Sequence, residues 1–133
     1  MNEQPDINQP ILVVEDEPDT AEIVKLILRE KGYQVVHAAD GREALNTIAS
    51  MPPPSLVLLD IQLPHVDGIT VLETIRATPD WQQVPVVLLT AVVDPRCIRQ
   101  AVAIKVQDYV LKPFTRDDLL RCVERALTPL AHP

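Results

Sequence analysis

Three carboxylates in this chain stand where apolar runs end. Ile11-Leu12-Val13-Val14 runs into Glu15-Asp16, and Leu56-Val57-Leu58-Leu59 runs into Asp60. Two further runs, Val86-Val87-Leu88-Leu89 and Tyr109-Val110-Leu111, end in the hydroxyl of Thr90 and the ammonium of Lys112. Brought together, these groups suit a hard divalent cation beside a phosphoryl group. Carboxylate oxygens are the ligands such a cation takes, and a hydroxyl and an ammonium can hold phosphoryl oxygens as charge develops. The chemistry depends on whether the fold gathers them.

The runs themselves say how it can. Short apolar stretches set among helical patterns read as strands buried on both faces of a parallel sheet. In open α/β sheets the ligand crevice lies at the carboxyl ends of the strands. Between the runs, Ile23, Val24, Ile27 and Leu28 predict an apolar helix stripe, with Gly32 as its stop. Tyr33 to His37 reads as the second strand. Asp40 opens a helix through Ala44, Leu45 and Ile48 that ends at Pro52-Pro53-Pro54, and Asp67 opens another carrying Ile69, Leu72 and Ile75. Asp94-Pro95 is an N-cap followed by proline at the first helical position, and Thr115-Arg116-Asp117-Asp118 has the form of a capping box. The order βαβαβαβαβα leads to an α/β, doubly wound, five-stranded parallel sheet. A strand order of 2-1-3-4-5 would set the first and third strands side by side, with Glu15, Asp16 and Asp60 at one edge.

The 133 residues make one domain of ordinary size, expected at 10–127, with a flexible tail at 1–9 and a C-terminal tail or the start of a linker at 128–133. Twelve basic against 19 acidic residues, a net charge of −7, argue against direct nucleic-acid binding. No apolar run is long enough for a membrane span and no secretory signal is visible, so a cytoplasmic location is the default expectation. Cys97 and Cys122 read as buried or half-buried thiols, His37 and His65 as surface or packing residues, and Trp81 as partly exposed packing.

At this point the chain closely resembles the receiver domain of two-component response regulators, a flavodoxin-like (βα)5 unit like single-domain chemotaxis regulators. The resemblance spans roughly Pro10 to Leu127. It rests on Val-Val-Glu15-Asp16-Glu17, Leu-Leu-Asp60-Ile-Gln-Leu-Pro64-His-Val-Asp67-Gly68, Leu-Leu-Thr90-Ala91 and Asp108-Tyr109-Val-Leu-Lys112-Pro113-Phe114, in that order. It implies a phosphoacceptor switch in which Asp60 takes a phosphoryl group from a phosphohistidine of a histidine kinase or phosphotransfer protein. Mg²⁺ would be held by Glu15, Asp16, Asp60 and the backbone carbonyl of Gln62. Thr90 and Lys112 would hold the phosphoryl oxygens, and Tyr109 would be the rotamer switch coupled to Thr90. Turnover would be single, with slow self-hydrolysis, so the protein is not an enzyme in the usual sense. Its downstream protein target would read the face of the fourth helix, fifth strand and fifth helix. The resemblance and the tolerance of X-Pro bonds also make Lys112-Pro113 a candidate cis peptide.

The chain departs from the family pattern at several points. Glu15 stands where Asp is more frequent, His65 replaces a common glycine, and Lys105-Val106 stands where a Gly-Ala pair is frequent. In one subfamily, that of many winged-helix transcription factors, the face named above makes a symmetric dimer through ion pairs. Asp108 and Asp118 match its acidic members, but Cys122 stands where the partner arginine is expected. Four other readings compete. One is a receiver excised from a longer response regulator or hybrid kinase. A Mg²⁺-dependent phosphohydrolase would want an acid where Gln62 stands. A flavin carrier would want a phosphate-cradling loop where Glu15-Asp16-Glu17-Pro18 stands. An unphosphorylated docking module would not need the acidic and basic set.

Overall fold

The structure, a computed structural model, describes residues 9–63, 66–91 and 95–128, with the backbone alone at 95, 97 and 98. The expected N-cap Asp94, the loop residue His65, the Cys97 side chain and most of both expected tails lie outside the described residues. The strands are β1 (Ile11–Val14), β2 (Val35–Ala38), β3 (Leu56–Asp60), β4 (Val86–Thr90) and β5 (Asp108–Leu111). The helices are α1 (Pro18–Glu30), α2 (Gly41–Ser50), α3 (Gly68–Ala77), α4 (Pro95–Ala103) and α5 (Arg116–Leu127), and a short 3-10 turn spans Pro79–Trp81. All strand pairs are parallel and their order is β2-β1-β3-β4-β5, as the sequence predicts.

The apolar runs lack alternation because both faces of the sheet are covered. Leu12, Val14, Val57, Leu59, Val86 and Leu88 face a core completed by Ala44 and Ile48 of α2, Val71, Leu72 and Ile75 of α3, and Ala101 of α4. The intervening Ile11, Val13, Leu56, Leu58, Val87 and Leu89 face Val24, Ile27 and Leu28 of α1 and Leu119, Leu120 and Val123 of α5. Every residue of β1 is fully buried. Burying one such side chain contributes about 1.5–3 kcal/mol, so the central strands are the energetic anchor of the fold.

Local chemistry sets the helix ends. Asp40, Asp67 and Thr115 each accept the N3 amide, from Glu43, Thr70 and Asp118 respectively, and Asp118 returns the bond to the Thr115 amide. Glu17 caps α1 in the same way, its Oε1 taking the Thr20 N–H at 2.8 Å ahead of Pro18. At the other end Gly32 sits at φ 90°. There the Tyr33 N–H bonds to Leu28 O and the Gly32 N–H to Arg29 O, closing a Schellman turn.

That turn explains one difference from the sequence reading. Tyr33 is spent closing α1, so β2 begins at Val35 rather than at Tyr33. Two more differences concern packing. Ile23 is 54% exposed, because Ala21, Val24 and Leu28 centre the buried arc of α1 and leave Ile23 beyond its edge. Trp81, expected to be partly exposed, is 1% exposed. Its amide bonds to Thr78 O, and its carbonyl takes the Val84 N–H. The turn thus folds the indole into the core beneath α3, although its sequence neighbours are polar.

At the edge of the sheet opposite the acidic cluster, the Arg76 guanidinium spends its N–H groups on backbone and amide oxygens. Nε donates to Ile104 O, Nη1 to Gln82 O and Val84 O, and Nη2 to Lys105 O and Gln107 Oε1. The contact with Lys105 O holds a turn in which Lys105 adopts φ 66°. This is the left-handed conformation that costs an L-residue about 1–2 kcal/mol and glycine nothing. The Lys105 side chain is exposed and makes no ion pair among the described residues. Lys105→Gly should therefore raise stability by about 0.5–1 kcal/mol after the entropy glycine adds to the unfolded chain. Thermal unfolding checks this, and a lower melting temperature would show that the lysine stem packs usefully.

Candidate functional site

Strand register alone brings the polar groups together. Val14 pairs with Leu59, so the residues that follow, Glu15 and Asp60, leave the sheet side by side. Thr90 pairs with Leu111, and the Lys112 N–H continues the ladder to Thr90 O at 2.9 Å. The Lys112–Pro113 peptide is cis, as expected.

Lys112 Nζ lies 2.6 Å from Glu15 Oε1 and 2.9 Å from Asp60 Oδ2. The other oxygen of each acid is held by backbone: Asp60 Oδ1 accepts the Gln62 N–H at 2.9 Å, and Glu15 Oε2 accepts the Glu17 N–H at 3.1 Å. Glu15 and Thr90 are fully buried and Asp60 nearly so, whereas Asp16 is exposed at the rim. The close approach of α3 helps place Asp60. The Gly68 N–H donates to Ile61 O, and a side chain there would lie 2.6 Å from Asp60 O.

The charge balance is uneven, with three carboxylates around one ammonium. Burial raises the pKa of Glu15, and the nearby charge of Asp60 raises it further, against the opposing pull of Lys112 and the Glu17 amide. Burial on its own would lower the pKa of Lys112, but its pairing with the two acids, Glu15 and Asp60, prevails and raises it. Glu15 Oε1 is buried and meets the ammonium in an ion pair at 2.6 Å without a hydrogen bond. One oxygen each from Glu15, Asp16 and Asp60 lie within 4.8 Å of one another. A buried anionic oxygen without a hydrogen bond, beside two further carboxylates, is a donor set that fits a hard divalent cation.

Glu15, Asp16, Asp60, Thr90 and Lys112 thus converge at one edge. Gln62 joins them, and the contact the structure shows is made by its amide rather than its carbonyl. Tyr109 is 47% exposed on β5, beside the equally exposed Leu111. On the same face Arg125 pairs with Asp108 at 2.8 Å, one helical turn beyond Cys122, which is buried as expected. His37 departs from its sequence reading. Its Nε2 lies 2.8 Å from Glu15 O, so the ring donates to the backbone of the site rather than merely packing. Strand order held the signal for this, because the end of β2 lies next to the end of β1 in a 2-1-3-4-5 sheet.

Comparison with known proteins agrees with this geometry. Residues 11–124 match the family model of the response regulator receiver domain. The chain is 37% identical over 121 residues to the DNA-binding response regulator MtrA of Mycolicibacterium smegmatis, covering 91% of this chain and 51% of that protein. It is 38% identical over 117 residues to the transcriptional regulatory protein KdpE of Mycobacterium tuberculosis, covering 88% of this chain and 50% of that one. The chain therefore spans about half the length of these curated relatives. Among solved structures, the receiver domain of the sensor histidine kinase PA1611 of Pseudomonas aeruginosa is similar with a TM-score of 0.81 and 32% identity, covering 90% of this chain and 98% of that one. That structure carries a magnesium ion coordinated in its active site cleft. The chemotaxis response regulator CheY4 of Vibrio cholerae gives a TM-score of 0.83 at 27% identity, with the same two coverages of 90% and 98%. With its sheet order, its edge of converging acids and a family match across nearly all of the described residues, the chain belongs to the response regulator receiver domain family.

Proposed function

We propose that the chain is a cytoplasmic, Mg²⁺-dependent phosphoacceptor switch working through Asp60, and that the receiver unit spans 10–127. The observation that carries this reading is the placement of Asp60. It is nearly buried, held at one oxygen by Lys112 and at the other by the Gln62 amide, with Glu15 and Asp16 beside it. A carboxylate oxygen of Asp60 attacks the phosphorus of a phosphohistidine on a histidine kinase or phosphotransfer protein. The P–N bond breaks, the imidazole keeps its electron pair, and Asp60 becomes an acyl phosphate. Bound Mg²⁺, held by Glu15, Asp16, Asp60 and the Gln62 carbonyl, would cancel the repulsion between the incoming phosphoryl oxygens and the carboxylates. Lys112 and Thr90 hold the phosphoryl oxygens as charge shifts toward Asp60.

The product has a clear route to a readout. Thr90 moves toward the new charge, Tyr109 turns inward from its exposed position, and the surface of α4, β5 and α5 changes its affinity for a downstream protein. Phosphorylation shifts a pre-existing equilibrium only as far as its contacts differ between the two states. The charge of −7 disfavours direct nucleic-acid contact, and among the described residues no helix is long and apolar enough to cross a membrane. A phosphohydrolase is disfavoured because Gln62 offers an amide where that chemistry wants an acid. The switch reading applies equally to a unit acting alone and to one receiver within a longer chain.

Acetyl phosphate with Mg²⁺ should add one acid-stable, base-labile phosphoryl group, and Asp60→Asn should abolish it because an amide is no nucleophile. Full labelling of that variant, or unchanged wild-type labelling in EDTA, would overturn the assignment. Asp16→Asn should raise the melting temperature in EDTA by a few degrees, since it removes one of three mutually repelling carboxylates, and should lose the stabilisation that Mg²⁺ gives the wild type. A variant that melts lower in EDTA and still responds to Mg²⁺ contradicts this. Arg125 already holds Asp108 within the chain, and Cys122 offers no guanidinium at the subfamily position. Beryllofluoride and Mg²⁺ should therefore produce no symmetric dimer across α4, β5 and α5. Sedimentation velocity decides this, and an activated dimer crosslinked across that face would refute it.

A further inference from the structure

The β1–β2 pair ends in a contact between a side chain and the backbone of the site. The parallel ladder runs from Ile11↔Val35 to Val14↔Ala38, and the Glu15 N–H extends it to Ala38 O at 3.1 Å. Continuing the pattern, the Glu15 carbonyl would accept an N–H from residue 40. The chain has already left the sheet there, because the Ala39 N–H goes to Glu43 Oε1 and Asp40 caps α2. His37 Nε2 takes the place of that backbone donor, 2.8 Å from Glu15 O. A side chain from the neighbouring strand thus supplies the last rung.

We propose that His37 is a positioning residue of the metal site, an inference that rests on the Mg²⁺-dependent reading of Glu15, Asp16 and Asp60. The Glu15 carbonyl belongs to the Glu15–Asp16 peptide, and a peptide is planar. Holding that oxygen therefore fixes the plane from which Asp16 departs. Asp16 is exposed, so the backbone it hangs from sets the direction of its carboxylate. The same plane sets how Glu15 leaves the strand, with its Oε2 on the Glu17 amide and its Oε1 toward Lys112. One N–H thus orients two of the three acids. Ligands fixed before the metal arrives bind it more tightly, and loss of such supporting partners typically costs about 10–100-fold in metal affinity.

The test is Mg²⁺ titration calorimetry on the wild type, His37→Leu and His37→Gln, with melting temperatures in EDTA and acetyl phosphate labelling alongside. The leucine variant has no donor and should bind Mg²⁺ about tenfold more weakly, the low end of that range. Glutamine can present an amide N–H to the same carbonyl and should recover most of the affinity, although both variants lose the imidazole packing. If the leucine variant does not fold, His37→Asn, polar but too short to reach, takes its place. Unchanged Mg²⁺ affinity in the variant without a donor would overturn the proposal while leaving Asp60 labelling, and hence the switch reading, intact. Equal weakening in the leucine and glutamine variants would also overturn it, by showing that packing rather than the N–H matters. A wild type that neither binds Mg²⁺ nor takes label on Asp60 would overturn the switch reading and this proposal together.

Discussion

The Lys112 ammonium, 2.6 Å from Glu15 Oε1 and 2.9 Å from Asp60 Oδ2, is the interaction on which the site depends. Taking a charge out of water costs several kcal/mol even after the protein relaxes around it, so buried acids at this edge need a partner of opposite charge. One cation between two carboxylates makes the cluster tolerable without making it neutral. Burial raises the pKa of Glu15 and the charge of Asp60 adds to it, despite the ammonium and an amide that both favour its ionised form. A structure built only for stability would place apolar groups here. A cluster with one cation too few suits a site that receives another.

The rest of the fold keeps those atoms in register. In a sheet of parallel strands all the carboxyl ends lie at one edge, so the groups that follow β1, β3, β4 and β5 come out together. The fully buried central strands resist slippage, since a shift of one residue would turn every side chain to the wrong layer. Gly68 lets α3 approach the Asp60–Ile61 backbone closely. At the opposite edge Arg76 ties α3 to the connection before β4 and to the turn after α4 through carbonyl oxygens. Strain is tolerated there, at Lys105, because that turn is remote from the acids and well bonded.

Much of this was legible in the chain itself. The apolar runs of four or five residues predict the strands, and their terminal polar residues predict the edge, because a residue's place along a strand follows from sequence alone. Capping residues at Asp40, Asp67 and Thr115 predict helix starts for the same local reason. Strand order also followed, since short right-handed connections leave few alternatives.

The failures share a different cause. Trp81 reads as partly exposed because it sits in a connection, and only the turn of Pro79–Trp81 against α3 decides which way the indole faces. Ile23 looked buried because it is apolar and adjacent to Val24, yet the contact surface of α1 is set by what the sheet and α5 present to it. His37 looked like a surface or packing residue because its partner, the Glu15 carbonyl, lies 22 positions away and is a backbone atom that no residue type announces. Sequence by itself determined the elements, their order and the chemical types gathered at the edge, all of which depend on local periodicity and connectivity. Only the tertiary structure decided which oxygen meets which donor, because those contacts depend on distances between separate segments to within a fraction of an ångström.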